Sequence, residues 1–223
     1  MTKGYIFDYG GTLDTGGCHW GKVLWHAYQQ RQVPVTETQF REAYVHAERT
    51  LGSTPLIQSD FTFRQTLATK IRLQMDFLGL RGYETMLTDA VYSGTLAHTR
   101  HSCEVLQQLS GCYPMVLVSN FYGNIRVVLR EFGFDGLFMD VIESAVVGIR
   151  KPDPRIFSLG VRALGLEPHE VTVVGDSIEK DIVPARQAGC HTTWIQGEQW
   201  TDAPIDRSVP DRVICDLSEL LEK

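Results

Sequence analysis

Short apolar runs alternate with helix-period segments along most of the chain. Tyr5–Phe7, Met115–Val118, Met139–Ile142, Val171–Val174 and Thr192–Ile195 are apolar without alternation, as in strands buried on both faces of a parallel sheet. Helix-like segments lie between them at Ser102–Leu109, Tyr122–Phe132, Arg155–Leu164 and Asp181–Ala188. Gly165 and Gly189 follow two of these and suit the left-handed residue after a helix end. Strands alternating with helices through short connections predict a doubly wound α/β domain with a Rossmann-like parallel sheet.

From Thr15 to about Ala90 the strand signal vanishes. Helical periodicity runs instead through Val23–Arg31, Thr36–Leu51, Phe63–Phe77 and Tyr83–Val91, with Thr36 placed to cap the second of these. The stretch reads as an all-helical insert after the first strand. The expected division is therefore an α/β core of residues 1–14 and 91–223 with a helical domain at 15–90. The aromatic set Trp20, Trp25, Tyr28, Phe40 and Tyr44 has helical spacing and is expected in the core of that insert.

Composition narrows the class. The chain has 223 residues, 43% hydrophobic and 22% charged, which is ordinary for a globular protein and argues against disorder. No apolar run is long enough for a transmembrane helix, and the three-residue apolar start is too short for a signal peptide, so no membrane association is expected. A net charge of −6 argues against a nucleic-acid partner. The cysteines number 5 and include no CxxC pair, which points to a reducing cytoplasm and away from disulfides or zinc. His98 and His101 offer two imidazoles with no evident third ligand. Gly16–Val23 approaches a phosphate-loop pattern but lacks its terminal hydroxyl.

Polar residues cluster where the expected strands end. Asp8 follows the first strand, Ser119-Asn120 the second and Asp176 the fourth; Lys151 sits in a turn-rich Gly148–Pro154 segment before a helix. In open α/β sheets the ligand lies beyond these carboxyl ends. The chemistry that uses such a set is phosphoryl transfer through a carboxylate, in which aspartate attacks phosphorus and forms an acyl phosphate. Its charge must be neutralised before it approaches a phosphate dianion. A magnesium ion shared by Asp8 and Asp176 would do so, with Ser119 and Lys151 holding the phosphoryl oxygens.

FDYGGTLD, VLVSN, KPDP and VGDSIEKD occur in that order. Together they resemble the four motifs of the haloacid dehalogenase superfamily of hydrolases, and the helical insert falls where that family's first-position cap falls. The resemblance implies Asp8 as nucleophile, Ser119 and Lys151 as phosphoryl ligands, and magnesium held by Asp8, Asp176 and the main-chain carbonyl of Gly10. It places Asp181 in support of the metal, and gives Thr12 and Asn120 orienting roles at the substrate. The implied activity is a magnesium-dependent phosphatase of small phosphorylated metabolites, cytoplasmic, as a monomer or homodimer.

One position departs from the family pattern. Phosphatases of this type usually carry a second acid two residues after the nucleophile, as general acid and base; here that position is Gly10. Its absence leaves three other readings. A 2-haloacid dehalogenase needs neither that acid nor a metal, although Asp176 would repel a haloacid. A catalytically impaired member would bind a phosphorylated ligand without turnover. A phosphonate hydrolase would need an imine-forming lysine, for which Lys22 and Lys70 are the candidates. Substrate-facing residues are expected in Thr15–Trp20 or Gly52–Asp60, while Arg64 reads as a solvated helix residue.

Overall fold

Ile6 faces one side of a sheet while Tyr5 and Phe7 face the other, and all are 8% exposed or less, so the first strand is covered on both faces. The computed structural model describes residues 1–201 and 206–222. In chain order it forms β1 (Gly4–Phe7), α1 (Trp20–Gln30), α2 (Glu37–Ser53), α3 (Phe63–Leu78), α4 (Glu84–Ser110), β2 (Met115–Ser119), α5 (Ile125–Glu131) and β3 (Asp140–Glu143). There follow α6 (Ser144–Val147), α7 (Arg155–Leu164), β4 (Val171–Gly175), α8 (Val183–Gln187), β5 (His191–Ile195) and β6 (Arg212–Ile214). The strands form one six-stranded sheet in the order β3-β2-β1-β4-β5-β6. Every pairing is parallel, with Ile6 opposite Val116 on one side and Val173 on the other.

Two apolar layers sandwich this sheet. Ile6, Val116, Val118 and Val173 meet Ile156, Phe157 and Val161 on the α7 side. Tyr5, Phe7 and Leu117 meet Leu106, Leu109 and Val128 on the other, in a core that continues through Leu13 and Leu24 to Phe40, Leu67 and Ile71 of the helical block. Complete burial of a side chain such as Ile6 or Phe7 stabilises the fold by roughly 1.5–3 kcal/mol.

Between β1 and β2 the chain forms α1 to α4 and no strand. Thr36 caps α2 as expected: its hydroxyl accepts from the Gln39 N–H at 3.3 Å, and the Gln39 side chain accepts from the Thr36 N–H at 2.9 Å. Gly165 and Gly189 take the left-handed conformation, with φ of 66° and 85°.

Tyr83–Val91 and Ser102–Leu109, expected as separate helices, are parts of one helix, α4. Its buried face runs through Leu87, Val91, Thr95, Thr99, Ser102 and Leu106, so the stripe continues across the middle on small hydroxyl residues. Two of the three hydroxyls are satisfied: that of Thr99 donates to Thr95 O at 2.9 Å and that of Ser102 to Leu13 O at 2.8 Å, while the Thr95 hydroxyl is buried without a partner. The helix thus passes position 90 without a break. The segment expected as a helix over Asp181–Ala188 begins instead with a π turn at Ile178–Ile182 and continues as α8. Pro184 lacks the N–H that an α-helix would direct to the carbonyl of Lys180, and Ile182 N bonds back to Ser177 O at 3.2 Å.

Candidate active site

Because β1 lies between β2 and β4, the crevice beyond these three strands is where such a sheet binds its ligand. Asp8 leaves β1 there, Ser119 ends β2 and Asp176 follows β4. The loop from α6 to α7 brings in Lys151, and the π turn brings in Asp181. Asp8, Lys151, Asp176 and Asp181 are each 5% exposed or less.

Lys151 Nζ lies 2.5 Å from Asp8 Oδ1 and 2.7 Å from Asp181 Oδ1. Its main chain is held by Asn120, whose amide donates to Lys151 O at 3.0 Å while its carbonyl accepts from Lys151 N at 2.9 Å. Asn120 therefore spends its hydrogen bonds on placing the lysine. The Thr12 hydroxyl sits between Asp8 Oδ2 at 3.3 Å and Asp176 Oδ1 at 3.2 Å. Asp181 Oδ2 accepts from Ser177 N at 3.0 Å, so both its oxygens are engaged. Gly11 has φ 102°, and a Cβ there would stand 2.4 Å from the Asp176 carboxylate. Only glycine permits that approach.

Like charge is concentrated here. Oxygen atoms of Asp8, Asp176 and Asp181 lie within 4.8 Å of one another, against the single ammonium of Lys151. Burial pushes the Asp8 carboxyl up to about 6, with Lys151 opposing the rise. Burial raises Asp176 well above the usual carboxylate range, and Asp181 and Asp8 add to it. Burial disfavours the charge on Lys151, but Asp181 and Asp8 outweigh it and hold the ammonium protonated. A buried acidic group with this charge surplus and oxygen donors alone suits a hard divalent cation.

Asp8, Gly10, Ser119, Asn120, Lys151 and Asp176 line a cavity of about 540 Å³. Of the loops expected to face a substrate, His19 and Trp20 from the first reach it, and nothing from Gly52–Asp60 does. Trp20 and Tyr44, expected within the helical core, also face it. Arg64 pairs with Asp89 at the surface, and His101 bonds Asp216 at 3.0 Å, apart from this cavity.

Asp14, Glu48 and Tyr122 of the cavity wall carried no role in the sequence reading, and Lys70 entered it only as an imine candidate. Asp14 closes the FDYGGTLD motif; it accepts from Gly11 N at 2.7 Å and Trp20 Nε1 at 3.1 Å, and burial pushes its carboxyl up to about 7. It fixes the first loop and seats Trp20. Its signal was its place in the motif. Glu48, Lys70 and Tyr122 come from α2, α3 and the loop after β2. Lys70, considered for imine formation, lies 2.7 Å from Glu48, which keeps its ammonium protonated and non-nucleophilic; burial alone would favour the free amine. Lys22 instead faces Glu198 at 3.6 Å.

His19 caps α1 by accepting from Gly21 N through Nδ1 at 3.0 Å. Burial depresses its pKa to about 4. Between about pH 6.5 and 4 the unfolded chain therefore binds a proton that the folded chain refuses, and stability falls as pH falls. Urea unfolding at pH 7 and about pH 5 is expected to show this loss in the wild type and a smaller one in His19→Asn, which keeps a capping side chain. An equal loss in both proteins would remove His19 from the account.

A model of the haloacid dehalogenase-like hydrolases matches residues 2–189. A glyceraldehyde 3-phosphate phosphatase of Methanopyrus kandleri is 38% identical over 96 residues, which are 42% of this chain and 41% of that protein. A phosphoserine phosphatase of Thermus thermophilus is 39% identical over 83 residues, 37% of this chain and 32% of that protein. The chain thus spans less than half the length of these curated relatives. An L-2-haloacid dehalogenase of Xanthobacter autotrophicus superposes with a TM-score of 0.60 at 19% identity, covering 99% of this chain and 97% of that one, a likeness of fold.

Proposed function

The chain belongs to the haloacid dehalogenase-like hydrolases, and from that premise we propose that it is a magnesium-dependent phosphatase of small phosphorylated metabolites, acting through an aspartyl-phosphate on Asp8. The observation that carries this reading is the trio of buried carboxylates around one lysine at the end of β1. The phosphatase relatives support it. A dehalogenase has no use for Asp176, whose carboxylate would repel the haloacid.

Asp8 carries the chemistry. One oxygen of its carboxylate attacks phosphorus, the ester P–O bond breaks, and the leaving oxygen departs to be protonated. An acyl phosphate on Asp8 remains. Water then attacks phosphorus, the Asp8 carboxylate is released, and inorganic phosphate takes the water's oxygen. Ser119 and Lys151 hold the phosphoryl oxygens, Asn120 fixes Lys151, and Thr12 keeps Asp8 and Asp176 in register. Because position 10 carries no acid, neither the leaving oxygen nor the water has a side chain there to exchange protons with. Turnover is accordingly slow and favours good leaving groups.

Magnesium would be held by Asp8, Asp176 and the main-chain carbonyl of Gly10, with Asp181 behind them. When bound, it supplies the positive charge that lets a carboxylate approach a phosphate dianion. Asp176→Asn is expected to weaken magnesium binding ~10-fold or more, because it removes a ligand charge while keeping the side chain's shape. Titration calorimetry reads this, and equal affinity in both proteins would contradict the assignment.

In this reading residues 15–90 act as a cap over the phosphate site, and residues 1–14 with 91–223 form the core. Among the described residues no helix is long and apolar enough to cross a membrane. We place the protein in the cytoplasm, as a monomer or homodimer without a nucleic-acid partner.

A further inference from the structure

Part of the cavity lining has no role in phosphoryl transfer. Besides Asp8, Ser119 and Lys151, the cavity wall includes Trp20, Tyr44, Glu48, Lys70 and Tyr122. Lys70 Nζ lies 2.7 Å from Glu48 Oε1, and the Tyr122 hydroxyl donates to Glu48 Oε2 at 3.3 Å. The ammonium also stands 5.7 Å from the Trp20 ring and 5.8 Å from that of Tyr122. The Glu48 side chain stays 34% exposed and that of Lys70 12%, so the pair remains open to an occupant of the cavity.

Resting on the phosphatase reading above, we propose that this part of the cavity takes a neutral polyhydroxylated leaving group, a sugar or polyol, with Glu48 and Lys70 as its specificity-determining residues and Trp20 as the face it lies on. A partly buried ion pair adds little to stability, so its placement on a ligand cavity points to recognition. Charge then decides among ligands. The Lys70 ammonium is already neutralised by Glu48 and His19 is uncharged near neutrality, which leaves the exposed Arg150 and Lys180 as the remaining cations of the lining besides Lys151. At the Glu48–Lys70 pair a carboxylated leaving group faces the Glu48 carboxylate and an ammonium already paired with it.

A hydroxyl is suited to both partners. It donates to Glu48 and accepts from Lys70 without adding charge, and neighbouring hydroxyls repeat the pattern. The C–H face of a sugar or polyol covers the apolar ring of Trp20. Size agrees: about 540 Å³ is ample for a five- or six-carbon phosphate, whereas a two-carbon leaving group leaves most of it to water.

The test compares Mg²⁺-dependent phosphate release from hexose and pentitol phosphates, phosphoglycolate, phosphoserine and p-nitrophenyl phosphate. Sugar or polyol phosphates are expected to exceed phosphoglycolate and phosphoserine by ~100-fold or more in kcat/KM, since a site built to bond hydroxyls rejects ligands lacking them. Glu48→Gln and Lys70→Met are expected to shrink that ratio by ~10-fold or more, mainly through KM of the sugar substrate. Glu48→Gln should also improve phosphoglycolate, which loss of packing alone would not do. Preference for phosphoglycolate or phosphoserine in the wild type overturns the proposal, as does an unchanged ranking in both folded variants, while p-nitrophenyl phosphate turnover keeps the phosphatase reading. If no ester is turned over, p-nitrophenyl phosphate included, the phosphatase reading fails and this inference fails with it.

Discussion

Asp8→Asn is expected to lower phosphate release by ~10⁴-fold or more, the scale of removing a nucleophile on which every later step depends. An amide is a poor nucleophile, and no neighbouring group stands ready to replace it. Asp176 is needed where it is, and both oxygens of Asp181 are engaged by Lys151 and Ser177. The variant should still fold, because Lys151 keeps its 2.7 Å contact with Asp181 and Thr12 keeps its bond to Asp176. Thermal unfolding close to that of the wild type would confirm an intact site. Unchanged phosphate release from a preparation free of contaminating phosphatase would falsify the assignment of Asp8.

Gly10→Asp is expected to raise turnover by up to ~10²-fold, by supplying the proton exchange that a positioned acid provides. The backbone allows it. Gly10 is not among the residues with positive φ, and a Cβ there would meet only the Trp20 ring, with Nε1 at 3.8 Å and Cδ1 at 4.0 Å. These are ordinary contacts, unlike the overlap at Gly11. The gain should be largest for alkyl leaving groups, which need protonation most, and small for p-nitrophenyl phosphate. Gly10→Asn has nearly the same shape without the acid and should give no gain. An equal gain from the asparagine variant would show that side-chain volume, not proton transfer, limits the wild type.

How much of this was legible in the sequence depends on the scale of the signal. Tyr5–Phe7 and Val171–Val174 announced themselves because strands covered on both faces are apolar at nearly every position, Thr172 being the exception. Asp8, Ser119 and Asp176 could then be placed, since each directly ends or follows such a run. Thr36 showed its helix start through local hydrogen-bonding chemistry. The middle of α4 was hidden because Thr95, Thr99 and Ser102 fill its buried face where large apolar residues would have marked it. β6 spans only Arg212–Ile214 at the sheet edge, too short to carry a pattern.

The Glu48–Lys70 part of the cavity wall was illegible for a different reason. Glu48 and Lys70 have the spacing of ordinary charged helix positions, and only the packing of α2 against α3 brings them together. Trp20 and Tyr44 keep the helical spacing of a core, yet border an open cavity. At Gly10 the sequence carries no sign of the space around the position; in the structure a Cβ there makes only ordinary contacts with Trp20.

The aspartyl-phosphate is the centre of the account, and it can be trapped. Wild-type protein turning over a phosphate ester with Mg²⁺ is quenched and reduced with borohydride, which converts an acyl phosphate on aspartate to homoserine, and the peptides are mapped by mass spectrometry. Homoserine at position 8, dependent on substrate and absent from Asp8→Asn, is the predicted result. Steady phosphate release with position 8 recovered only as aspartate, or with the modification on another residue, would contradict it.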